Sequence, residues 1–190
     1  MKKLTIVTLI ISSWCGKTFA QYGDFDDYVG GSFFRGNLEV PSSTIFGGVF
    51  NLPQSTDFDL NILDLRLGVE MLDWLHIEGR VAYGLNDKSS NGIEFSINRM
   101  AGVYGVLRLP NQSKDDLIRP YALAGVTYGE VDFLIPGIVR DRETETDLSY
   151  GIGTNIGITN SIDLFVEFMQ YLDKNGLDFS GIGVGVKFDF

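Results

Sequence analysis

The sequence of 190 residues is poor in the residues on which most catalytic and redox chemistry depends. It contains one cysteine, Cys15, and one histidine, His76. A disulfide needs two cysteines, and metal sites in proteins usually need three or four ligands at a defined geometry. We therefore expect no disulfide, no metal site and no cofactor. A Ser/His/acid cluster is also missing around His76, so we expect no catalytic residues and no enzyme.

Basic residues and long apolar runs are scarce as well. The chain has 15 lysines and arginines against 25 acidic residues, a net charge of −10. A nucleic-acid partner would require the opposite sign of charge, so none is expected. No apolar run reaches the roughly 18 residues that a transmembrane helix needs. A structure that spans a membrane would have to be built from strands.

The first twenty residues have the pattern of an export signal. Lys2 and Lys3 precede a short apolar run over 4–11, and the small residues Thr18 and Ala20 suit a signal peptidase. We predict a signal peptide over 1–20, cleaved after Ala20, and one domain over 21–190. The signal holds three of the basic residues and no acid, so 21–190 carry a net charge of −13.

The end of the chain, from 180 to 190, alternates strictly between two kinds of residue. Ile182, Val184, Val186, Phe188 and Phe190 fall on one face of a strand, and glycines with two charges fall on the other. Similar alternation predicts eight strands, over 28–36, 63–71, 75–84, 94–109, 119–129, 148–158, 163–168 and 180–190. An even number of strands with alternating short and long connections is typical of a closed up-and-down barrel.

Alternation alone does not say which face of the barrel is inside, because a soluble barrel of the lipocalin type has the opposite arrangement. The polar faces here are rich in glycine and alanine, as a narrow lumen requires. Aromatic residues suit two interfacial girdles, with Trp74, Tyr121 and Phe190 at one end and Tyr83 and Tyr150 at the other. We predict an all-β, eight-stranded antiparallel transmembrane barrel with short periplasmic turns and longer extracellular loops.

Two segments resemble the small OmpA/OmpX-type outer-membrane barrels of Gram-negative bacteria. The last strand, with Phe188 and Phe190, resembles the C-terminal assembly signal of outer-membrane proteins, and 119–125 resembles a strand of these barrels. The resemblance implies location in the outer membrane and contact with its lipid and lipopolysaccharide. It also implies delivery by periplasmic chaperones, insertion by the barrel-assembly machinery, and a monomer. No peptidoglycan-binding domain of the OmpA kind is expected.

Charged residues fall on faces predicted to line the lumen. These residues are Asp64, Arg66, Glu70, Glu78, Arg80, Arg108, Glu167 and Lys187. A tight turn at Asp73 would place Arg66 opposite Arg80. It predicts diagonal ion pairs between Arg66 and Glu78 and between Asp64 and Arg80.

Two interpretations of these charges remain open. One is a packed polar plug that fixes strand register. The other, implied by the resemblance, is a gate in which ion pairs exchange partners, with its tightest point at Arg66, Glu78 and Arg80. The glycine-rich upper half of the lumen leaves room for water in the second interpretation.

The third long connection contains a Pro-Gly step between two apolar runs. The residues concerned are Phe133, Ile135, Pro136, Gly137, Ile138 and Val139. Pro-Gly fits the centre of a type II turn, so we predict a hairpin that protrudes from the membrane. Its exposed edge could pair with an extracellular partner, as OmpX-type barrels suggest, or the hairpin could pack on the first loop.

The sequence therefore predicts a non-enzymatic outer-membrane protein with a structural or adhesion-like surface role through protruding hairpins. The alternative is a narrow, porin-like channel for ions or small solutes, gated by the lumen charges.

Overall fold

The computed structural model describes residues 27–40, 56–86, 88–90, 93–109, 116–135, 139–174 and 177–190. The predicted signal peptide and the tip of the predicted hairpin, 136–138, lie outside these residues. The described part of the chain contains no helix long and apolar enough to cross a membrane.

Nine strands run through the described residues. They are β1 (Tyr28–Val40), β2 (Thr56–Leu72), β3 (Leu75–Gly84), β4 (Lys88–Ser90), β5 (Ile93–Arg108), β6 (Ile118–Ile135), β7 (Val139–Thr159), β8 (Ile162–Lys174) and β9 (Leu177–Asp189).

The long strands close into an antiparallel barrel. Each pairs with its neighbour in the chain, β3 pairs directly with β5, and β1 pairs with both β2 and β9. The three-residue β4 pairs with the start of β5, at Lys88↔Phe95, beyond the end of β3. The predicted eight-stranded antiparallel barrel is confirmed, and β4 is a short addition to it.

The barrel presents its apolar side chains outward and its charges inward. On β2, Leu65 is 53% exposed and its neighbour Arg66 is 5% exposed. The same alternation continues through β3, where Ile77 is exposed and Glu78 is buried. A soluble barrel would have the reverse arrangement, so the apolar wall is the one expected of a barrel in lipid.

The two ends of the barrel differ. Two-residue turns at 73–74 and 160–161 mark what we call the short-turn end. At the opposite, long-loop end, β6 and β7 remain paired as far as Ile135↔Val139, whereas the last pair between β7 and β8 is Tyr150↔Gln170. We call the extension formed by 129–135 and 139–149 the outer hairpin.

Candidate functional site: the lumen and the outer hairpin

A layer of five buried charges crosses the middle of the lumen. It contains Asp64 and Arg66 from β2, Glu78 and Arg80 from β3, and Glu167 from β8. We call these five residues the charge layer. Charges in so narrow an interior must be paired and hydrogen-bonded, because removing them from water costs several kcal/mol for each ion.

The tight turn between β2 and β3 and a bulge beside it set the register of the charge layer. Arg66 lies opposite Arg80, as predicted, because the bulge between Glu70 and Leu72 offsets the two-residue turn at 73–74 by one residue. The predicted diagonal ion pairs are wrong, because each arginine instead binds the acid two residues before it on its own strand. Arg66 Nη2 lies 2.7 Å from Asp64 Oδ1, and Arg80 Nε lies 2.5 Å from Glu78 Oε1. Residues two apart on a strand share a face, which allows this pairing.

Glu167 joins the two arginines from across the lumen. Its two carboxylate oxygens accept hydrogen bonds from Arg80 at 2.5 and 2.8 Å, in a bidentate pair. Arg66 Nη1 reaches the same carboxylate at 3.3 Å. Glu167 therefore links β8 to β2 and β3, which are not its neighbours in the sheet.

Uncharged side chains complete the charge layer. Tyr28 donates a hydrogen bond to Glu78 at 2.6 Å, and Tyr121 donates one to Glu167 at 2.9 Å. The guanidinium of Arg66 lies 4.1 Å above the ring of Phe165, a cation–π contact. These tyrosine donors were not predicted from the sequence, although the alternation of 119–129 places Tyr121 in phase with the buried Arg119.

Tyr121 corrects the predicted aromatic girdle. We expected it on the lipid face, but its side chain is buried in the lumen. Its ring lies over Gly153 of β7, directly opposite in the register, where an added Cβ would come within 2.5 Å of the ring. Glycine at 153 supplies the space, so the ring turns inward and reaches Glu167.

The same relation recurs around the lumen, where an aromatic ring faces a glycine of the adjacent strand. The pairs are Tyr28 and Gly68, Phe34 and Gly183, Tyr104 and Gly125, Tyr121 and Gly153, and Phe165 and Gly185. The lumen is thus filled by rings that occupy the space above glycines.

A second group of charges lies nearer the short-turn end. Asp163 of β8 pairs with Arg119 and, at 3.1 Å, with Lys187. Lys187 also lies 3.3 Å from Asp189 and 4.5 Å from the centre of the Tyr28 ring. Arg119, whose side chain is buried here, was not predicted from the sequence to line the lumen.

The remaining predicted lumen charges, Glu70 and Arg108, also lie toward the short-turn end. Glu70 lies 3.7 Å from His76, whose side chain is fully buried. Arg108 is half-buried and lines a cavity with Arg66, Glu78 and Lys187. Within the described residues, no group of three or more His, Cys, Asp or Glu side chains is arranged to hold a metal ion.

Aromatic packing fills the lumen on the long-loop side of the charge layer. The ring of Phe34 meets Tyr171 edge-on at 5.1 Å, and Tyr171 stacks on Phe179 at 5.8 Å. We call these three rings the aromatic plug. All three are buried, together with Leu38, Leu60 and Met169 around them. Within the described residues, the glycines of this half accommodate side chains, which leaves less room for water than the sequence predicted.

Two small cavities lie in the described part of the lumen. One cavity of about 10 Å³ lies between the charge layer and Lys187, and another of about 10 Å³ lies beside Asp64 and Tyr171. A cavity of that size is close to the minimum for one water molecule. Neither cavity is a passage for a solute.

The outer hairpin and the last strand hold the other predicted residues. Phe133, Ile135 and Val139 lie on β6 and β7 within the hairpin, while 136–138 are outside the described residues. Phe188 and Phe190 are exposed on the outer wall at the short-turn end. At the base of the outer hairpin, exposed Arg99 of β5 binds buried Glu130 of β6 at 2.7 Å.

Comparison with known proteins identifies the relatives of this barrel. The family model described as the outer membrane protein beta-barrel domain matches residues 6–190. No curated protein matches the sequence.

Solved structures share the fold at low sequence identity. Neisserial surface protein A aligns with a TM-score of 0.63 and 15% identity, over 88% of this chain and 100% of that one. Ail of Yersinia pestis, in complex with the heparin analogue sucrose octasulfate, aligns at 0.57 and 14%, over 87% and 99%. The N-terminal barrel of Pseudomonas aeruginosa OprF aligns at 0.55 and 13%, over 86% and 98%.

Proposed function

The chain belongs to the outer membrane β-barrel protein family, and we propose that it is a non-enzymatic surface-interaction protein with a closed lumen. In such barrels the short turns face the periplasm and the longer loops face outward. The outer hairpin then projects from the cell surface. We propose that this hairpin, and not the lumen, carries the function.

The observation that carries the proposal is the unequal length of neighbouring strands. β7 continues for eleven residues, 139–149, beyond its last pair with β8. Among the described residues this stretch pairs only with β6. An exposed strand edge presents backbone donors and acceptors that can pair with an incoming strand.

The packing of the lumen supports the same conclusion. The charge layer and the aromatic plug lie one above the other, and both are buried. An eight-stranded barrel is only wide enough for its own side chains, so two filled layers oppose conduction.

The channel remains the second candidate because of one feature of the charge layer. Glu167 is shared by Arg66 and Arg80, and Arg80 is shared by Glu78 and Glu167. Shared partners are what an exchange of ion pairs would require. Opening by this route would still leave the aromatic plug in place.

The heparin analogue bound in the Ail structure does not suggest the same ligand here. A sulfated polymer is a polyanion, and residues 129–149 hold six acidic and two basic residues. Repulsion between like charges opposes such a ligand at the outer hairpin.

The test combines surface attachment with conductance. In the variant, 129–145 are replaced by an Asn-Gly turn, which favours a two-residue hairpin and leaves the Tyr128↔Thr146 pair in place. Cells displaying the full chain should attach to immobilised matrix proteins, and cells displaying the shortened chain should not. Folding of both is checked by the gel-mobility difference between boiled and unboiled samples.

Conductance of the refolded full chain in a planar bilayer is the second measurement. We expect a folded and silent protein. Discrete conductance steps, with attachment unchanged by the shortened hairpin, would contradict the proposal and favour the channel.

A further inference from the structure

The outer hairpin is strongly acidic, and this bears on what its open edge can bind. From 129 to 149 the sequence has a net charge of −4. Ion pairs within the hairpin do not change this sum, and adding Arg99 of β5, which binds Glu130, still leaves −3 (−4 + 1). An approaching strand therefore meets a negative field whatever the internal pairing.

The acids of β7 follow the period of the strand. Glu145 and Asp147 are half-buried on the face that leads to buried Ser149, while Thr144 and Thr146 are exposed on the other face. In the sequence, Asp141 and Glu143 continue the row of alternate acidic positions to which Glu145 and Asp147 belong. A strand paired with this edge would place every second residue beside an acidic position.

We propose that the open edge of β7 takes an extended segment of a partner protein whose alternate residues are lysine or arginine. The proposal rests on the proposed function, since it assigns a chemistry to the partner of the same edge. Backbone hydrogen bonds supply the pairing, and the alternating positive charges select the partner.

Charge also argues against a second copy of this chain at the same edge. Antiparallel pairing of two β7 edges would bring the acidic rows of both copies together. Like charges directly opposite on paired strands are destabilising. The edge is therefore selective against antiparallel pairing with a second β7 while it remains open to a basic strand.

The experiment uses the full chain refolded in lipid nanodiscs and fluorescent peptides of about nine residues, shorter than the edge. Three peptides alternate threonine with lysine, glutamine or glutamate. A fourth is the lysine peptide with N-methyl groups on alternate amides, which keeps the charge and removes backbone donors. Binding is measured by fluorescence anisotropy.

We expect the lysine peptide to bind at least about tenfold more tightly than the glutamine peptide, and the glutamate peptide to bind weakest. Raising the salt from about 0.05 to 0.5 M should weaken the lysine peptide most. The N-methylated peptide should lose binding, because attraction of charge alone does not pair a strand.

Two substitutions locate the contact. Glu145→Lys at the edge should weaken the lysine peptide at least about fivefold and strengthen the glutamate peptide. Asp73→Lys makes the same change of charge at the exposed short turn on the opposite side of the barrel, and should change neither affinity.

The outcomes separate the two proposals. Equal binding of the lysine and glutamine peptides, with loss on N-methylation, would overturn the basic partner and leave the edge as a docking site. Failure of all three unmodified peptides to bind, or undiminished binding of the N-methylated peptide, would overturn the edge itself, and with it the proposed function.

Discussion

Glu167 is the side chain on which the charge layer depends most. Its carboxylate is the only acid of the layer that contacts both arginines, at 2.5 Å for Arg80 and 3.3 Å for Arg66. The carboxylate also accepts a hydrogen bond from the hydroxyl of Tyr121. Removing its charge leaves buried guanidinium groups with less compensation, which is the costly way to break a buried ion pair.

We predict that Glu167→Gln lowers the free energy of unfolding by about 3–5 kcal/mol. The control is Asp59→Asn, which breaks the pair with Arg35, where the side chains are 60% and 69% exposed. That change should cost less than about 1 kcal/mol. Urea unfolding in lipid vesicles, followed by Trp74 fluorescence, measures both. Equal losses would show that burial does not strengthen the network.

Two glycines on opposite sides of the wall offer a second comparison. A Cβ at Gly68 would lie 2.1 Å from the Tyr28 ring, whereas a Cβ at Gly79 meets nothing within 4 Å. We predict that Gly68→Ala displaces Tyr28 from Glu78 and costs about 1–3 kcal/mol. Gly79→Ala should change stability by less than about 0.5 kcal/mol. The same unfolding assay decides, and a small effect at Gly68 would mean that the ring moves without loss.

At the scale of elements, the strands contribute two layers of side chains, of different chemistry, that each block the lumen. β2, β3 and β8 supply the charge layer, and β1, β8 and β9 supply the aromatic plug. The two layers have different chemistry, so no single kind of substitution removes both.

We predict that Arg80→Ala alone and the pair Phe34→Ala with Phe179→Ala alone both give silent proteins in a planar bilayer. Only the combination of all three should give conductance steps, because the closures act in series. Boiled and unboiled gel mobility verifies folding of each variant. Steps from Arg80→Ala alone would show that the aromatic plug does not seal the lumen.

The sequence predicted the elements well where a local rule applied. A tight turn centred on Asp73 predicted that Arg66 lies opposite Arg80, and this register is observed because a bulge between Glu70 and Leu72 offsets the two-residue turn at 73–74. The partners across the lumen could not be predicted in this way. Glu167 meets Arg80 only because eight strands close with a particular stagger, and that stagger belongs to the whole sheet.

Tyr121 shows the same limit. In 119–129 the outward residues include the small Ala122 and Ala124, so the sequence pattern did not clearly distinguish the lipid face from the lumen face. The preference of aromatic residues for membrane interfaces then suggested the wrong face for Tyr121. The glycine that admits the ring, Gly153, lies 32 positions away in the sequence.

At the scale of the whole molecule, β9 closes the barrel. Val184 pairs with Phe33 of β1 and with Val166 of β8, so it has a strand on each side. Thr144 of β7 pairs with Glu130 of β6, and in the described residues it has no partner on β8. Closure of the barrel therefore depends on the position of Val184 and not on that of Thr144.

We predict that Val184→Pro prevents formation of the heat-modifiable folded species, because proline removes a ladder donor in a strand paired on both sides. Thr144→Pro should leave that species intact, since it disturbs only the outer hairpin. Refolding into lipid vesicles, followed by the gel-mobility difference, tests the pair. Loss of folding in both variants would mean that the hairpin is needed for closure.

The aromatic rings that face glycines also restrict which strand registers the barrel can adopt as it folds. A slip of one residue turns a strand inside out, so the competing arrangements are slips of two. Such a slip between β1 and β2 would set the Tyr28 ring against Arg66 or Glu70 in place of Gly68. Between β5 and β6 it would set Tyr104 against Leu123 or Thr127 in place of Gly125. In a mispaired barrel these rings would clash with larger side chains and hinder closure. The glycines would thus favour the correct strand register during folding.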